Sequence, residues 1–340
     1  MSEVWIHSMN GAPWKKSKMN QAIKKLRNRA LISYVVGIDK LEDLQELDQI
    51  VFAKRPDLIL SISQIDKDKT SLQKVISKLA GLQHVTALQL NLFYDIDLSE
   101  LGVLKLQYIS IMSKKPLNLD FISNYKQLKF ASLHGKFVDL RPIGDATELD
   151  SLNLQTDIVE LDFVSRLPKL TCLYIADCTL KEGALAALVN SNITMLCLAS
   201  IRNLTHIDEI SSMHQLVSLR LALSKLETLC DFSGLNQLTQ LELEQMKSLK
   251  DITPLWTAKH LEMLTLWEFS TAIKAKALAP LLDISQLKQL DFRFIDFNKG
   301  RIEALRQMFA EAGKEYILIE NIDEPFRLKS KVFLHIKKHF

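Results

Sequence analysis

The sequence predicts an α/β solenoid in which short parallel strands stack into an extended sheet. The first observation is a six-residue phrase that recurs ten times, from VTALQL at Val85 to LKQLDF at Leu287, at steps of 21 to 26 residues. Such a step is the length of one supersecondary unit stacked on the next. The second observation is that apolar residues occupy the first, fourth and sixth places of the phrase, a pattern that buries one face of a short strand. Function is therefore expected on an exposed surface, because stacked units bury no single globular core.

Before Val85 the phrase fades and a longer step of 27 residues replaces it. Strand-like segments begin at Val4, Leu31 and Leu58, and each is followed by a segment whose apolar residues lie at helical spacing. The helical segments are 16–28, 40–54 and 71–79. We interpret residues 1–84 as helix-backed units or a cap at the start of the solenoid. An independent helical domain is the alternative.

Residues 85–299 form the predicted repeat array, and residues 300–340 form a predicted C-terminal cap. Two connecting segments of the array, 181–192 and 273–287, are interpreted as true helices. In the cap, a helix over 300–312 precedes a strand at Tyr316. The tail from Pro325 is too apolar to be free, and we expect it to fold back over the last repeat, where an open solenoid exposes its core.

The chain resembles the leucine-rich-repeat family. Residues 170–180, LTCLYIADCTL, match the signature LxxLxLxx(N/C)xL, with Cys178 at the Asn/Cys place. Short connections such as 138–149 resemble those of internalins, whereas the helix-backed units resemble those of ribonuclease inhibitor. The resemblance implies a curved horseshoe with a parallel sheet on its concave side and helices or turns on its convex side. Most repeats lack the Asn that usually ties the turns together, so we expect apolar packing to hold the convex edge.

Charge is distributed unevenly along the chain. The formal net charge is +3, but residues 1–29 carry +6, residues 327–340 carry +5, and the segment between them carries −8. An acidic array favours a basic protein partner, while the basic ends are candidate contacts for a polyanion. The simpler interpretation is that the basic ends only keep the caps soluble.

The four cysteines, Cys172, Cys178, Cys197 and Cys230, lie at or beside predicted strand positions, where a small apolar side chain packs well. They show no CxxC motif and no His/Cys metal spacing, so we expect reduced structural thiols and neither metal nor cofactor. The N-terminal residues lack the apolar segment of a secretory signal. No stretch approaches the roughly 18 apolar residues of a membrane span. We therefore predict a cytoplasmic protein without a membrane partner.

The third, fifth and seventh residues of each phrase are expected on the concave side. In the first half of the array they include an aromatic group, and in the second half a charged group with one tryptophan. Tyr, Trp and Arg are frequent binding hot spots. The candidate partner-binding residues are Tyr108, Phe130, His134, Tyr174, Arg220, Glu242, Glu244, Trp267, Glu268, Asp291 and Arg293. The alternative is that Arg220 with Glu242, and Asp291 with Arg293, merely pair across neighbouring strands.

Catalysis has little support in the sequence. The eight histidines show no HExxH spacing, and the chain contains no phosphate-binding loop and no GxSxG elbow. Glu242 and Glu244 point the same way on one strand, which favours a solvated acidic patch over an acid–base pair. A triad assembled across repeats is the remaining enzymatic alternative.

The sequence thus favours a non-enzymatic protein-binding module that grips a protein partner with its concave face. The family resemblance implies an inhibitor, an immunity protein or an adaptor, which is an analogy at the level of the fold. The alternative is binding of nucleic acid or another polyanion through the basic ends. This alternative is weaker, because those ends lack the interleaved aromatic residues of a stacking platform.

Overall fold

A computed structural model describes residues 6–11, 13–64, 68–292 and 299–339. The chain separates into two compact units. Unit 1 consists of Met1–Asp157, Phe163–Leu170 and Lys337–Phe340, and unit 2 consists of Ile158–Asp162 and Thr171–Ile336.

Unit 1 contains a parallel sheet whose strands pair in chain order. Its strands are β1 Ile6–Asn10, β2 Leu26–Val36, β3 Ile59–Gln64, β4 Ala87–Leu92, β5 Tyr108–Leu117, β6 Phe130–Phe137 and β7 Ser151–Thr156. Three helices separate the first four strands: α1 Lys16–Lys25, α2 Leu41–Leu47 and α3 Lys69–Leu79. Helix α2 continues as a π-helical turn, Asp48–Phe52. The strands near Leu31 and Leu58 therefore belong to the same sheet as the first phrase.

Unit 2 contains a second run of parallel strands that again pair in chain order. Its strands are β8 Cys172–Ala176, β9 Met195–Ala199, β10 Ser218–Ala222, β11 Gln240–Glu244, β12 Met263–Trp267 and β13 Gln289–Asp291. A separate short parallel ladder joins Ile158–Val159 to Thr179–Leu180. Helix α4, Lys299–Glu311, follows the last strand, and helix α5 spans Lys331–Lys337.

The predicted strand positions are confirmed. Every strand from β4 to β13 begins at the third residue of its phrase, two residues after the phrase starts. The fourth and sixth residues face the core, and Leu196 and Leu241 at the fourth place are fully buried. Parallel strands backed by helices or turns confirm the predicted α/β leucine-rich-repeat solenoid.

The connections after β4 are mostly single 3₁₀ turns. They span Ser99–Val103, Asp120–Asn124, Arg141–Asp145, Asp162–Arg166, Ala184–Leu188, Asp208–Ser212, Thr253–Thr257 and Ala275–Asp283. The helices predicted over 181–192 and 273–287 were therefore wrong. A 3₁₀ turn gains more length per residue than an α-helix, so it suits the short connection of a compact unit. In the second segment, Pro280 also lies inside the turn and cannot supply an α-helical N–H.

A repeated Asx turn begins many of these connections. A carboxylate or amide oxygen accepts the main-chain N–H two residues later at 2.8 to 2.9 Å. The acceptors are Asp97, Asn118, Asp139, Asp231 and Asp251. This contact satisfies an otherwise unpaired N–H at the start of the turn, so it stabilises connections that have few ladder asparagines.

The segment predicted as a strand at Tyr316 is also different in the structure. It forms two 3₁₀ turns, Glu315–Ile317 and Ile319–Asn321, which pack Ile317 and Ile319 into the interior. Among the described residues, Leu318 of this segment makes a bridge to the sheet, opposite Leu290. The apolar pattern of this segment therefore reflects burial of its side chains, and the segment does not form the hydrogen-bonded ladder of a strand.

Candidate functional site

The face of each sheet that carries the third, fifth and seventh residues of the phrases is called its outer face. The outer face is where the sequence predicted an exposed binding surface. Most third-place residues are instead buried, for example Ala87 in unit 1 and Ser218 in unit 2, while Met195 is partly buried. The C-terminal tail is the main reason for this burial in unit 2.

In unit 1 the predicted aromatic residues are part of the packing. The rings of Tyr108 and Phe130 stack with centroids 4.8 Å apart and planes 8° apart, and both residues are buried. The His339 ring packs on Phe130 with centroids 4.8 Å apart. Tyr108 and Phe130 were therefore wrongly predicted as exposed contact residues. His134 lies on β6 four residues after Phe130 and is exposed.

The end of the chain is anchored to the outer face of unit 1. The Nε2 atom of His339 lies 3.0 Å from the Ser151 hydroxyl, which is buried. The Lys338 ammonium donates to the Asp150 carboxylate at 2.7 Å. The last residues are thus held by specific polar contacts. The tail also folds back over the last repeat as expected, because Gln289 of the last phrase bonds the main chain of Leu328.

In unit 2 the segment Arg327–Ile336, here called the strap, crosses the outer face. The Gln289 amide accepts from the Leu328 N–H at 2.8 Å and donates to the Leu328 carbonyl at 3.1 Å. The Gln240 amide donates to the Lys329 carbonyl at 3.1 Å and accepts from the Lys331 N–H at 2.8 Å. Two buried glutamines therefore hold the main chain of the strap.

The helical part of the strap is anchored by one buried side chain. Val332 packs into a cluster of small residues on the outer face, while Ile336 covers the cluster's margin and is only partly buried. The small residues are Cys172, Ala176, Cys197, Ala199 and Ala222. Val332 of the strap therefore fills the space above these small residues.

Glu242 lies beneath the strap. It is only 7% exposed, and the Ser330 hydroxyl hydrogen-bonds to its carboxylate. Its other oxygen, Oε1, has no hydrogen-bond partner among the described residues. Burial raises the pKa of the Glu242 carboxyl above its ordinary value, against the lowering effects of Ser330 and Arg220. The predicted solvated acidic patch at this position was therefore wrong.

Arg220 and Glu244, both predicted as partner-binding residues, form an ion pair that remains partly accessible. Arg220 lies directly opposite Glu242 in the ladder, yet its guanidinium donates to Glu244, from Nε at 3.2 Å and from Nη2 at 2.7 Å. The pair is half-buried, with side-chain exposures of 33% and 12%. The predicted alternative of Arg220 paired with Glu242 was wrong, although charge pairing within the face does occur.

The remaining predicted residues of unit 2 divide between exposed and buried positions. Trp267 lies opposite Glu244 on the neighbouring strand and is partly exposed, as is Tyr174. Glu268 is exposed and lies 3.9 Å from the Lys247 ammonium. Asp291 is buried, contrary to its predicted exposure. Arg293, and hence its predicted pairing with Asp291, lies outside the described residues.

The residues that sequence reasoning missed are those that hold the strap: Gln240, Gln289, Ser330 and Val332. A helical spacing of Val332 and Ile336 in the tail was a visible signal for a buried helix face. Glutamines at the third place of two phrases, where other phrases carry apolar residues or serine, were the matching signal on the sheet.

The buried thiols have little nucleophilic character. Burial raises the pKa of Cys197 to about 12 and that of Cys178 to about 11. Thiols with such pKa values are protonated near neutral pH, and the thiolate is the reactive form. The outer face of unit 2 therefore offers packing, hydrogen bonding and ion pairing, and its buried thiols are not reactive groups. Within the described ranges, no helix combines the length and apolar character needed to cross a membrane.

Several solved structures are similar to this chain. An internalin (InlF) of Listeria monocytogenes shares 20% identity over 62% of this chain and 81% of its own, with a TM-score of 0.39. A leucine-rich-repeat protein of Leptospira interrogans shares 15% identity over 90% of this chain and 92% of its own, with a TM-score of 0.38. TLR13, in its complex with ssRNA13, shares 16% identity over 84% of this chain and 44% of its own, with a TM-score of 0.51.

At these low sequence identities, the similarity shows a shared fold and nothing more. No protein-family profile and no curated protein sequence matches the chain. The repeated phrase lies on parallel strands, which are backed first by helices and then by short turns. The chain is therefore a leucine-rich-repeat protein by fold.

Proposed function

We propose that this protein is a non-enzymatic module that binds a protein partner on the outer face of unit 2. The contact surface is the strip of that face beside the strap, formed by Tyr174, Arg220, Glu244, Trp267 and Glu268. The observation that carries the proposal is the partly exposed Trp267 ring next to the half-buried Arg220–Glu244 pair.

The strip has the composition of a binding hot spot. Tryptophan, tyrosine and arginine bury large areas and offer directed hydrogen bonds when a partner excludes water. The two hydrogen bonds between Arg220 and Glu244 hold the guanidinium in one orientation before binding. Such preorganisation reduces the conformational entropy that is lost on association.

The charge of the face favours a basic partner. The exposed Glu268 and the half-buried Glu244 place carboxylates at the margin of the strip. Rim charges of this kind steer the approach of an oppositely charged protein. We further propose that the protein is a cytoplasmic inhibitor, immunity protein or adaptor, by analogy with the roles that the fold serves elsewhere.

Polyanion binding through the basic ends has less support. The Lys338 ammonium is engaged by Asp150, and the Lys331 ammonium donates to the Thr239 hydroxyl at 2.7 Å. Phosphate groups would have to compete with these existing contacts for the two cations.

Affinity capture with the full-length protein tests the proposal. We expect one stoichiometric protein with wild-type bait and with the control Val103→Ala, at an exposed position of unit 1, and much less of it with Trp267→Ala. Calorimetry with that protein should show binding weakened by about 2 kcal/mol or more for Trp267→Ala. A nuclease-sensitive mixture, or equal affinity for all three baits, would contradict the proposal.

A further inference from the structure

The strap is held on unit 2 as a peptide ligand would be held. Both glutamine contacts are made to main-chain N–H and C=O groups of Leu328, Lys329 and Lys331, so they do not depend on the identity of those side chains. A primary amide offers one donor group and one acceptor in the geometry that a peptide bond requires. The face is therefore built to hold an extended chain.

The side-chain anchors of the strap are few: Val332 in the cluster, the Ser330 hydroxyl on Glu242 and the Lys331 ammonium on the Thr239 hydroxyl. Val332 is buried in the cluster of small residues, but its neighbours Phe333 and Leu334 point into solvent, 65% and 47% exposed. Large apolar side chains exposed on a short helix add nothing to its docking. The hydrogen bonds of Gln240 and Gln289 and the burial of Val332 thus carry much of the attachment.

Charge complements the main-chain recognition. The segment Arg327–Ile336 carries three cationic residues and no acidic one. The face beneath and beside it carries Glu242, Asp291 and Glu244, the last of which pairs with Arg220. A basic extended segment is therefore the kind of chain that this face accepts.

We propose that the strap is an intramolecular ligand that occupies the outer face of unit 2 until a basic, extended segment of a partner protein displaces it. The incoming segment takes over the main-chain hydrogen bonds to Gln240 and Gln289, and the strap moves off as one piece. This inference rests on the proposed function, since the strip around Trp267 lies on the same outer face. It concerns a separate set of contacts, those between the face and the strap.

The cysteines provide a built-in test. Cys172 and Cys197 lie in the cluster beneath Val332, whereas Cys178 and Cys230 are buried outside that cluster. Opening of the strap exposes the first two thiols without unfolding the repeats. Global unfolding exposes all four together.

The experiment is site-resolved alkylation of the full-length protein with iodoacetamide, read by mass spectrometry. We expect Cys172 and Cys197 to react at least about tenfold faster than Cys178 and Cys230, since local opening costs less free energy than global unfolding. Val332→Ala should accelerate only the first pair. Its matched control on the solvent side of the same helix, Phe333→Ala, should leave all four rates unchanged. Equal rates at all four thiols, or equal effects of the two variants, would overturn the inference.

A second measurement tests whether the opened face accepts a peptide. The probe is a synthetic peptide with the sequence of residues 325–340, compared with a scrambled peptide of the same charge. In excess over the Val332→Ala variant, the first peptide should slow alkylation of Cys197 several-fold, and the scrambled one should not. Failure of the first peptide to protect Cys197, or equal protection by both, would contradict the inference.

The outcomes for the two proposals are separable. If all four thiols react equally while Trp267→Ala still weakens partner binding, the strap inference fails and the proposed function stands. If the strap opens and the peptide competes while Trp267→Ala binds the partner normally, the proposed strip fails.

Discussion

The side-chain amide of Gln289 makes two hydrogen bonds with the main chain of Leu328, one as acceptor at 2.8 Å and one as donor at 3.1 Å. The two residues are 39 positions apart in the chain. Gln289 lies at the third place of the last phrase, where it was predicted to face an exposed concave surface. It is instead buried, because the strap covers it.

This relationship predicts a specific cost for changing the amide. In Gln289→Glu the donor to the Leu328 carbonyl is lost, and a carboxylate oxygen faces that carbonyl in a buried site. The free energy of unfolding should fall by about 1–3 kcal/mol, the range for leaving a buried polar group unsatisfied. Urea denaturation measures the change. The control Gln155→Glu, at a partly exposed outer-face position of unit 1, should change stability little, and an equal loss there would contradict the assignment.

The register of the strands makes a second prediction. Leu196→Ala and Leu241→Ala each remove a fully buried side chain and should lower the free energy of unfolding by about 2–5 kcal/mol. Thr205→Ala, in an exposed connection, should have almost no effect in the same urea titration. Ser151→Ala should cost about 0.5–1.5 kcal/mol, since it removes the contact with His339. A similar loss for Thr205→Ala and Leu196→Ala would show that the register is misplaced.

Because Glu242 is buried, we expect its replacement by a neutral residue to stabilise the folded protein at neutral pH. Burial raises the pKa of this carboxyl, so the folded state binds its proton more tightly than the unfolded state does. Its favourable contribution is full below the unfolded pKa, about 4.3, and is lost as pH rises through the raised folded value. Glu242→Gln should therefore be more stable than wild type at pH 7, with the difference shrinking toward pH 4.

Thermal unfolding at several pH values measures this effect. The matched control is Glu244→Gln on the same strand, which removes the negative charge paired with Arg220 and should lower the melting temperature at pH 7. A lower melting temperature for Glu242→Gln at neutral pH would contradict the assignment.

The Asx turns predict the opposite pH dependence. The Thr253 hydroxyl and N–H lower the pKa of Asp251, and the N–H and hydroxyl of Ser99 lower that of Asp97. Such groups stabilise the folded state above their unfolded pKa, about 3.9, and the stabilisation is lost as pH falls through the lowered folded value. The double variant Asp97→Asn/Asp251→Asn keeps its acceptors but loses the charges. Its unfolding midpoint should depend less steeply on pH below about 4 than that of wild type, and an unchanged slope would contradict the prediction.

The sequence by itself determined where the strands of the repeats lie and which of their residues are core. Both follow from local periodicity. The alternation of apolar and polar residues along a strand shows which face is buried, and the 21- to 27-residue repeat places each strand beside the preceding one. The same local patterns placed α3 and α4 within a few residues of their observed bounds. They failed for 181–192 and 273–287, where apolar spacing allows either a helix or a 3₁₀ turn and the short connection decides between them.

Only the tertiary structure decided which outer-face residues meet solvent. The contact of Gln240 with Lys331 joins residues 91 positions apart, and it recognises the main chain, which leaves no complementary side-chain pattern to read in the tail. Glu242 and Gln289 are buried where the strap contacts the sheet, whereas Trp267 and the Arg220–Glu244 pair stay accessible beside it. Periodicity assigns a residue to a face, but its exposure depends on what packs against that face.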